Sequence, residues 1–143
     1  MEFRFEYVGD SEGLAASRNI RVAVFVKEQG IPRELELDET DYNATHVLVY
    51  SGDTPVATGR LSVDEETGII ARIAVLPAYR GMGLGRRVVG MLEEQARRRK
   101  LEAVELSPHH YLERFYAELG YVRIPGTEEV AGHRLIRMRK NLS

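Results

Sequence analysis

The sequence predicts an α/β fold, with a mixed, mostly antiparallel central sheet and helices on both faces, in a single domain spanning residues 1–143. Three observations predict it. An apolar, β-branched run from Ile69 to Leu76 stops at Pro77, and a glycine-rich turn then opens a strongly periodic helical segment. Before it, three strand-like stretches are separated only by short polar turns, the pattern of an antiparallel meander. After it, a further strand follows the helix, and a strand–helix–strand connection is a right-handed crossover whose strands run parallel.

Each element has its own signal. Phe3 to Val8 alternates charged and aromatic residues, as an edge strand does. Glu12 to Gln29 carries Leu14, Ile20, Val24 and Phe25 on a face suited to packing on a sheet, and Gly30-Ile31-Pro32 ends the helix. Arg33 to Asn43 holds Glu34, Glu36, Asp38, Glu39 and Asp41 with little periodicity and reads as an exposed acidic loop. Residues Ala44 to Tyr50, Pro55 to Val63 and Gly68 to Leu76 form the meander. Arg86 to Lys100 repeats Val88, Val89, Leu92 and Ala96 at helical spacing, and its closing Arg97-Arg98-Arg99-Lys100 complements the helix dipole. Leu101 to Leu106 is the strand after the crossover. Tyr111 to Leu119 is a helix stopped at Gly120, and Tyr121 to Ile124 and His133 to Arg139 are terminal strands.

Composition narrows the function. The chain has 143 residues, 43% hydrophobic and 29% charged, which suffices for one packed core. A net charge of −2 supplies no basic field for nucleic acid. No cysteine is present, so disulfides, thiolate–metal ligation and an acyl-cysteine intermediate are excluded, and no metal is expected. The first residues lack an apolar signal core and no run is long enough to span a bilayer, which gives the expectation of a cytoplasmic protein that makes no membrane contact.

The turn Arg80-Gly81-Met82-Gly83-Leu84-Gly85 places three glycines between strand and helix, where backbone N–H groups converge with the positive end of a helix and suit a phosphate. It lacks the Gly-Lys-Ser/Thr ending of a P-loop, and Arg86 stands where a dinucleotide fingerprint needs glycine. With Tyr79 before it, the phrase resembles the pyrophosphate loop of the GNAT superfamily of N-acetyltransferases. Tyr116-x-x-x-Gly120-Tyr121 is similar to that family's Tyr-x-x-x-Gly-Phe phrasing. Val24-Phe25-Val26-x-Glu28-Gln29-Gly30-x-Pro32, followed by an acidic stretch and Asp41-x-x-x-x-His46, resembles one GNAT subgroup.

The resemblance implies a splayed parallel strand pair holding CoA and transfer of acetyl from acetyl-CoA to a primary amine within a ternary complex. It assigns the donor's pyrophosphate to Arg80, Gly81, Met82, Gly83, Leu84, Gly85 and Arg86. It assigns the pantetheine arm and the oxyanion to the backbone of Ile73, Ala74 and Val75. Tyr116 is the implied general acid for the leaving thiolate, a role a neutral phenol suits; a core aromatic is its alternative. The usual strand carboxylate is missing from Ala71 to Val75, so His46 and Glu28 stand as base or acceptor-site candidates, with structural roles open for both. His109 replaces the asparagine common seven residues before the tyrosine, which in the family usually hydrogen-bonds the cofactor; an imidazole could substitute there or point away, and a surface position is expected. The acceptor is an amine-bearing small molecule or peptide, and family habit admits a homodimer. A CoA-binding sensor without turnover is the alternative function.

Overall fold

In the computed structural model, residues 2–142 are described, and their order is β-rich with helices inserted at three points. The strands are β1 (Phe3–Val8), β2 (Thr45–Ser51), β3 (Thr54–Asp64), β4 (Thr67–Val75), β5 (Ala103–Leu106), β6 (Val122–Val130) and β7 (His133–Asn141). The helices are α1 (Ser11–Arg21), α2 (Arg33–Glu36), α3 (Leu84–Arg98) and α4 (Glu113–Glu118). One seven-stranded sheet runs in the order β1-β2-β3-β4-β5-β7-β6. All neighbours are antiparallel except β4 and β5, which are parallel as the crossover through α3 requires.

Helices cover both faces. Val88, Val89, Leu92 and Ala96 of α3 are almost fully buried against Val47, Val49, Leu61 and Ile70 of the meander. On the other face Ile20 and Val24 pack on Leu48 and Ala74. There α1 is also pinned by a buried hydrogen bond between the hydroxyls of Ser17 and Thr58, 2.6 Å apart. The N-cap of α1 is Asp10, whose carboxylate accepts from the Gly13 N–H at 2.7 Å.

Three details differ from the sequence expectation. The helix expected over Glu12 to Gln29 is α-helical only to Arg21; Val22–Glu28 is π-helical, and the Gln29 N–H donates to the Val24 carbonyl five residues back. The helix expected from Arg86 begins two residues earlier, and the two terminal strands are longer than their apolar patterns indicate. The third is the acidic stretch, which is not an exposed loop. It forms α2 and a 3-10 turn at Glu39–Asn43, and Glu36 and Asp41 are 2% exposed. Arg21 donates to Glu36 at 2.5 Å and to Asp41 at 2.8 Å, Arg60 to Asp38 at 2.7 Å and to Asp41 at 2.8 Å, and Arg18 to Asp41 at 2.9 Å. Glu34 and Glu39 are exposed as expected, but Glu36, Asp38 and Asp41 read as part of a solvated run because the arginines that pair with them come from α1 and β3.

Candidate active site

The strands β4 and β5 share a ladder of only three pairs, Thr67–Ala103 to Ile69–Glu105. Beyond Ile69 they diverge, β4 running on to Val75 and β5 ending at Leu106. The opening is a cleft of about 720 Å³ lined by residues 69–73 of β4, residues 106–109 after β5, Leu112 and Tyr116 at α4, and the β6–β7 hairpin. A strand that loses its neighbour exposes alternate N–H and C=O groups along the free edge. That edge is the structural counterpart of a binding site for an extended, amide-bearing ligand.

A bulge shapes the same strand. Arg60 pairs with Ala71 and Thr58 with Ala74, so Arg72 and Ile73 together face Gly59 alone. Arg72 takes a left-handed backbone, φ 59°. The residue opposite must be glycine: a Cβ on Gly59 would lie 2.6 Å from both Ile73 Cδ1 and Val88 Cγ1. Ile73 lines the cleft, Ala74 turns to the other face of the sheet into the core, and the Val75 carbonyl accepts from Arg80 Nε at 2.9 Å.

The glycine turn closes one end of this strand. Gly81 and Gly83 adopt φ 80° and 79°, with nothing within 4 Å of where a side chain would start. Glycine is demanded there by backbone conformation, and the space beside the main chain is free. Gly85 lies in the first turn of α3, its added Cβ position 4.0 Å from Ile73 Cγ2, so the loop abuts the bulged strand. Leu84 is buried and anchors the helix start, whereas Met82 and Arg86 are exposed.

Tyr116 lines the cleft from α4 and is 5% exposed. Burial pushes its phenol up to about 12, so it is a protonated donor at neutral pH. Its ring packs edge-on to Tyr121, whose own hydroxyl is committed to Glu93 at 2.7 Å. The two roles weighed for Tyr116, core aromatic and cleft donor, are thus compatible in one position.

The base candidates lie elsewhere. Glu28 ends the π-helical segment and forms a bidentate pair with Arg80 of the glycine turn, at 2.6 and 2.7 Å. The hydrogen bonds from Arg80 hold its carboxyl below the usual range. His46 is 2% exposed on β2, and its Nε2 donates to the Asp41 carbonyl at 2.9 Å, while its Nδ1 is buried without a partner. Burial lowers its pKa, against the pull of the Asp41 carbonyl. Neither residue lines the cleft. Arg72 does; it pairs with Asp38 at 3.2 Å and with the Glu36 carbonyl, not with Glu28.

His109, expected at the surface, is on the cleft wall. A single antiparallel bridge pairs it with Leu135 of β7, its ring stacks on Tyr111 with ring centroids 5.1 Å apart, and it meets His133 edge-on at 5.0 Å. The resemblance left a cofactor-side position open for this residue, but its neighbours could not be read locally, because His133 and Leu135 stand more than twenty residues further on.

A sheet split over a bulged strand, with a glycine turn at one end and a buried tyrosine beside the gap, defines the class of the acyltransferases. The chain belongs to the acetyltransferase (GNAT) family, whose model matches residues 15–121. A Bacillus subtilis (strain 168) protein assigned as an acetyltransferase is 36% identical over 117 residues, covering 80% of each chain. A crystal structure from Lactobacillus plantarum, assigned to the N-acetyltransferases, superposes with a TM-score of 0.90 at 29% identity over the whole of both chains. An acyl-CoA N-acyltransferase from Pseudomonas aeruginosa superposes at 0.85 with 25% identity, covering 97% of this chain and 98% of that one. The family's donor is acetyl-CoA and its acceptors carry amines. Among the described residues no cluster of three His, Cys, Asp or Glu could hold a metal, and no helix is long and apolar enough to cross a membrane.

Proposed function

We propose that this chain transfers acetyl from acetyl-CoA directly to a primary amine, with both substrates bound together in the cleft between β4 and β5. The observation that carries the reading is the convergence of three features on one strand: the free edge of β4, the bulge at Arg72 and Ile73, and the glycine turn abutting Ile73. Acetyl-CoA supplies an activated acyl carbon and a thiolate leaving group. Its pyrophosphate suits the amides of Arg80 through Arg86, where two left-handed glycines leave room beside the backbone. Its amide-bearing arm suits the open edge at Ile73 and Val75, and a main-chain N–H of the same stretch suits the oxyanion. Tyr116 holds the proton that the thiolate needs.

The acceptor is an amine on a small molecule or peptide. Glu36, Asp38 and Asp41 are paired with arginines and leave no concentrated free negative charge for a cationic acceptor.

The test is a panel of primary amines with acetyl-CoA, read by free thiol and by the mass of the product. Thiol released in step with a mono-acetylated amine is the expected result. CoA binding without thiol release across the panel would replace this reading with that of a sensor, and the absence of any CoA binding would remove both.

A further inference from the structure

The acetyl transfer proposed above needs a proton acceptor for the amine, and β4 offers no carboxylate between Ala71 and Val75. The acids nearest that strand are occupied. Asp38 is held by Arg60 and Arg72, Glu36 by Arg21, and Glu28 by Arg80 outside the cleft. His46 is sealed in the core. Glu128 and Glu129 of β6 line the cleft but are exposed to solvent; of the two imidazoles on the cleft wall one is committed, since His133 Nε2 donates to the Gln29 carbonyl at 2.7 Å. His109 is not. Its Nε2 is buried and has no hydrogen-bond partner among the described residues, a costly state for a polar group that marks a nitrogen arranged for a partner the protein itself does not supply.

We propose that His109 is the group that takes the proton from the incoming ammonium, and that His133 and Tyr111 fix its ring for that task. The geometry carries this: a cleft-wall imidazole stacked on Tyr111, crossed by His133, and sharing its wall with the proton donor Tyr116. His133 is itself tied to the carbonyl of Gln29, at the end of the π-helical segment, so the ring that meets His109 is anchored from across the cleft mouth. Electrostatics agree. Burial lowers the His109 pKa, and His133 and His110 push it the same way, so the ring is neutral and able to accept at pH 7. The titratable groups against it are His110 and Tyr111 on its own turn and His133 on β7; Arg72 of β4 and Glu128 and Glu129 of β6 line the same cleft.

The protons balance. Neutral His109 takes one proton from the ammonium. The freed nitrogen pair then forms the N–C bond, and the C–S bond breaks. The thiolate gains the Tyr116 proton, and the second proton leaving nitrogen restores the phenol. One proton is released to water through His109 for each amide formed.

The proposal rests on the acetyltransferase reading, and its test separates the two. For an amine that the panel identifies as an acceptor, kcat/KM of the unaltered protein should fall with slope one on the acid side of a midpoint that lies below the 6.5 of a free imidazole. His109→Gln should lose about 100-fold in kcat/KM at pH 7, the lower end of a general base's contribution, and should lose that limb. Its stabilisation by acetyl-CoA should be unchanged, which separates a fold defect from a lost base. His133→Gln should move the limb while losing less rate. A His109→Gln variant with an unaltered rate and limb overturns the proposal while leaving the acetyltransferase intact. Independently of turnover, NMR titration of the unaltered protein should find His109 neutral at pH 7 and its imidazole signal displaced by acetyl-CoA. A midpoint above 6.5, or a signal that acetyl-CoA leaves in place, overturns the proposal even if no amine is ever found to react.

Discussion

Tyr116 illustrates how one side chain meets two demands. Its ring completes the packing between α4 and the sheet while its phenol, raised to about 12, stays protonated beside the cleft. Tyr116→Phe keeps the ring and removes the proton, so kcat at saturating acetyl-CoA should drop at least about 100-fold while acetyl-CoA affinity holds; a titration of thermal shift against acetyl-CoA measures the latter. Gly83 makes the opposite case, a residue defined by having no side chain. Gly83→Ala meets no atom within 4 Å but forces φ 79° on alanine, so it should cost about 1–2 kcal/mol from backbone strain alone and weaken donor binding, both measurable by urea unfolding with and without CoA. The glycine turn and Tyr116 were legible in the sequence because their signals are local, a spacing within one turn of chain. His109 was not, since what makes it a cleft residue is the arrival of His133 and Leu135 from β7.

Among elements, the bulged β4 shows the tightest coupling between fold and site. Gly59→Ala would place a methyl 2.6 Å from Ile73 and Val88, and overpacking of this kind costs about 1–3 kcal/mol. Because Ile73 is the bulge residue on the cleft, the same change should also lower kcat, a joint loss that a substitution elsewhere in the core would not produce. The strand was predicted from its β-branched run, but the bulge was hidden, because a two-against-one register is a property of the pair β3–β4 and not of either sequence. The acidic stretch was misjudged for the same reason. Its burial is carried by Arg21 and Arg60, and Arg21→Met removes the side-chain hydrogen bond to buried Glu36 and one of three arginine partners of Asp41, at a cost of about 3–5 kcal/mol. Burial disfavours the charged form of Asp41, but hydrogen bonds from Arg21 and Arg60 outweigh it and hold its pKa far below the 3.8 of a free aspartate. The unfolded chain therefore binds the extra proton first on acidification. Stability should be complete above pH 3.8 for this group and drain away as pH falls toward the folded-state pKa, a slope that urea titrations should find reduced in Asp41→Asn.

At the scale of the molecule, the β2–β3–β4 meander, the parallel pair and the two helical faces follow from patterns the chain displays openly, namely short polar turns and a crossover helix, whereas the insertion of β7 between β5 and β6 does not. The length of the β4–β5 ladder does not, because strand-like sequence continues on β4 well past the point where pairing stops. Acetyl-CoA at 100 times its dissociation constant should stabilise the fold by about 2.7 kcal/mol, raising the melting temperature by several degrees. The distribution of that gain is set by the three-rung ladder. Strands β1 to β4 and strands β5 to β7 form two slabs joined through Thr67–Ile69, and an extended donor seated along the free edge would act as the absent eighth strand, a removable keystone between them. Those amide hydrogens between Ile70 and Val75 that face the free edge, and not the ones bonded to β3, should then exchange with deuterium quickly in the free protein and slowly with donor bound, while those of β2 hardly change. Each catalytic cycle would in that sense finish a β-sheet and take it apart again.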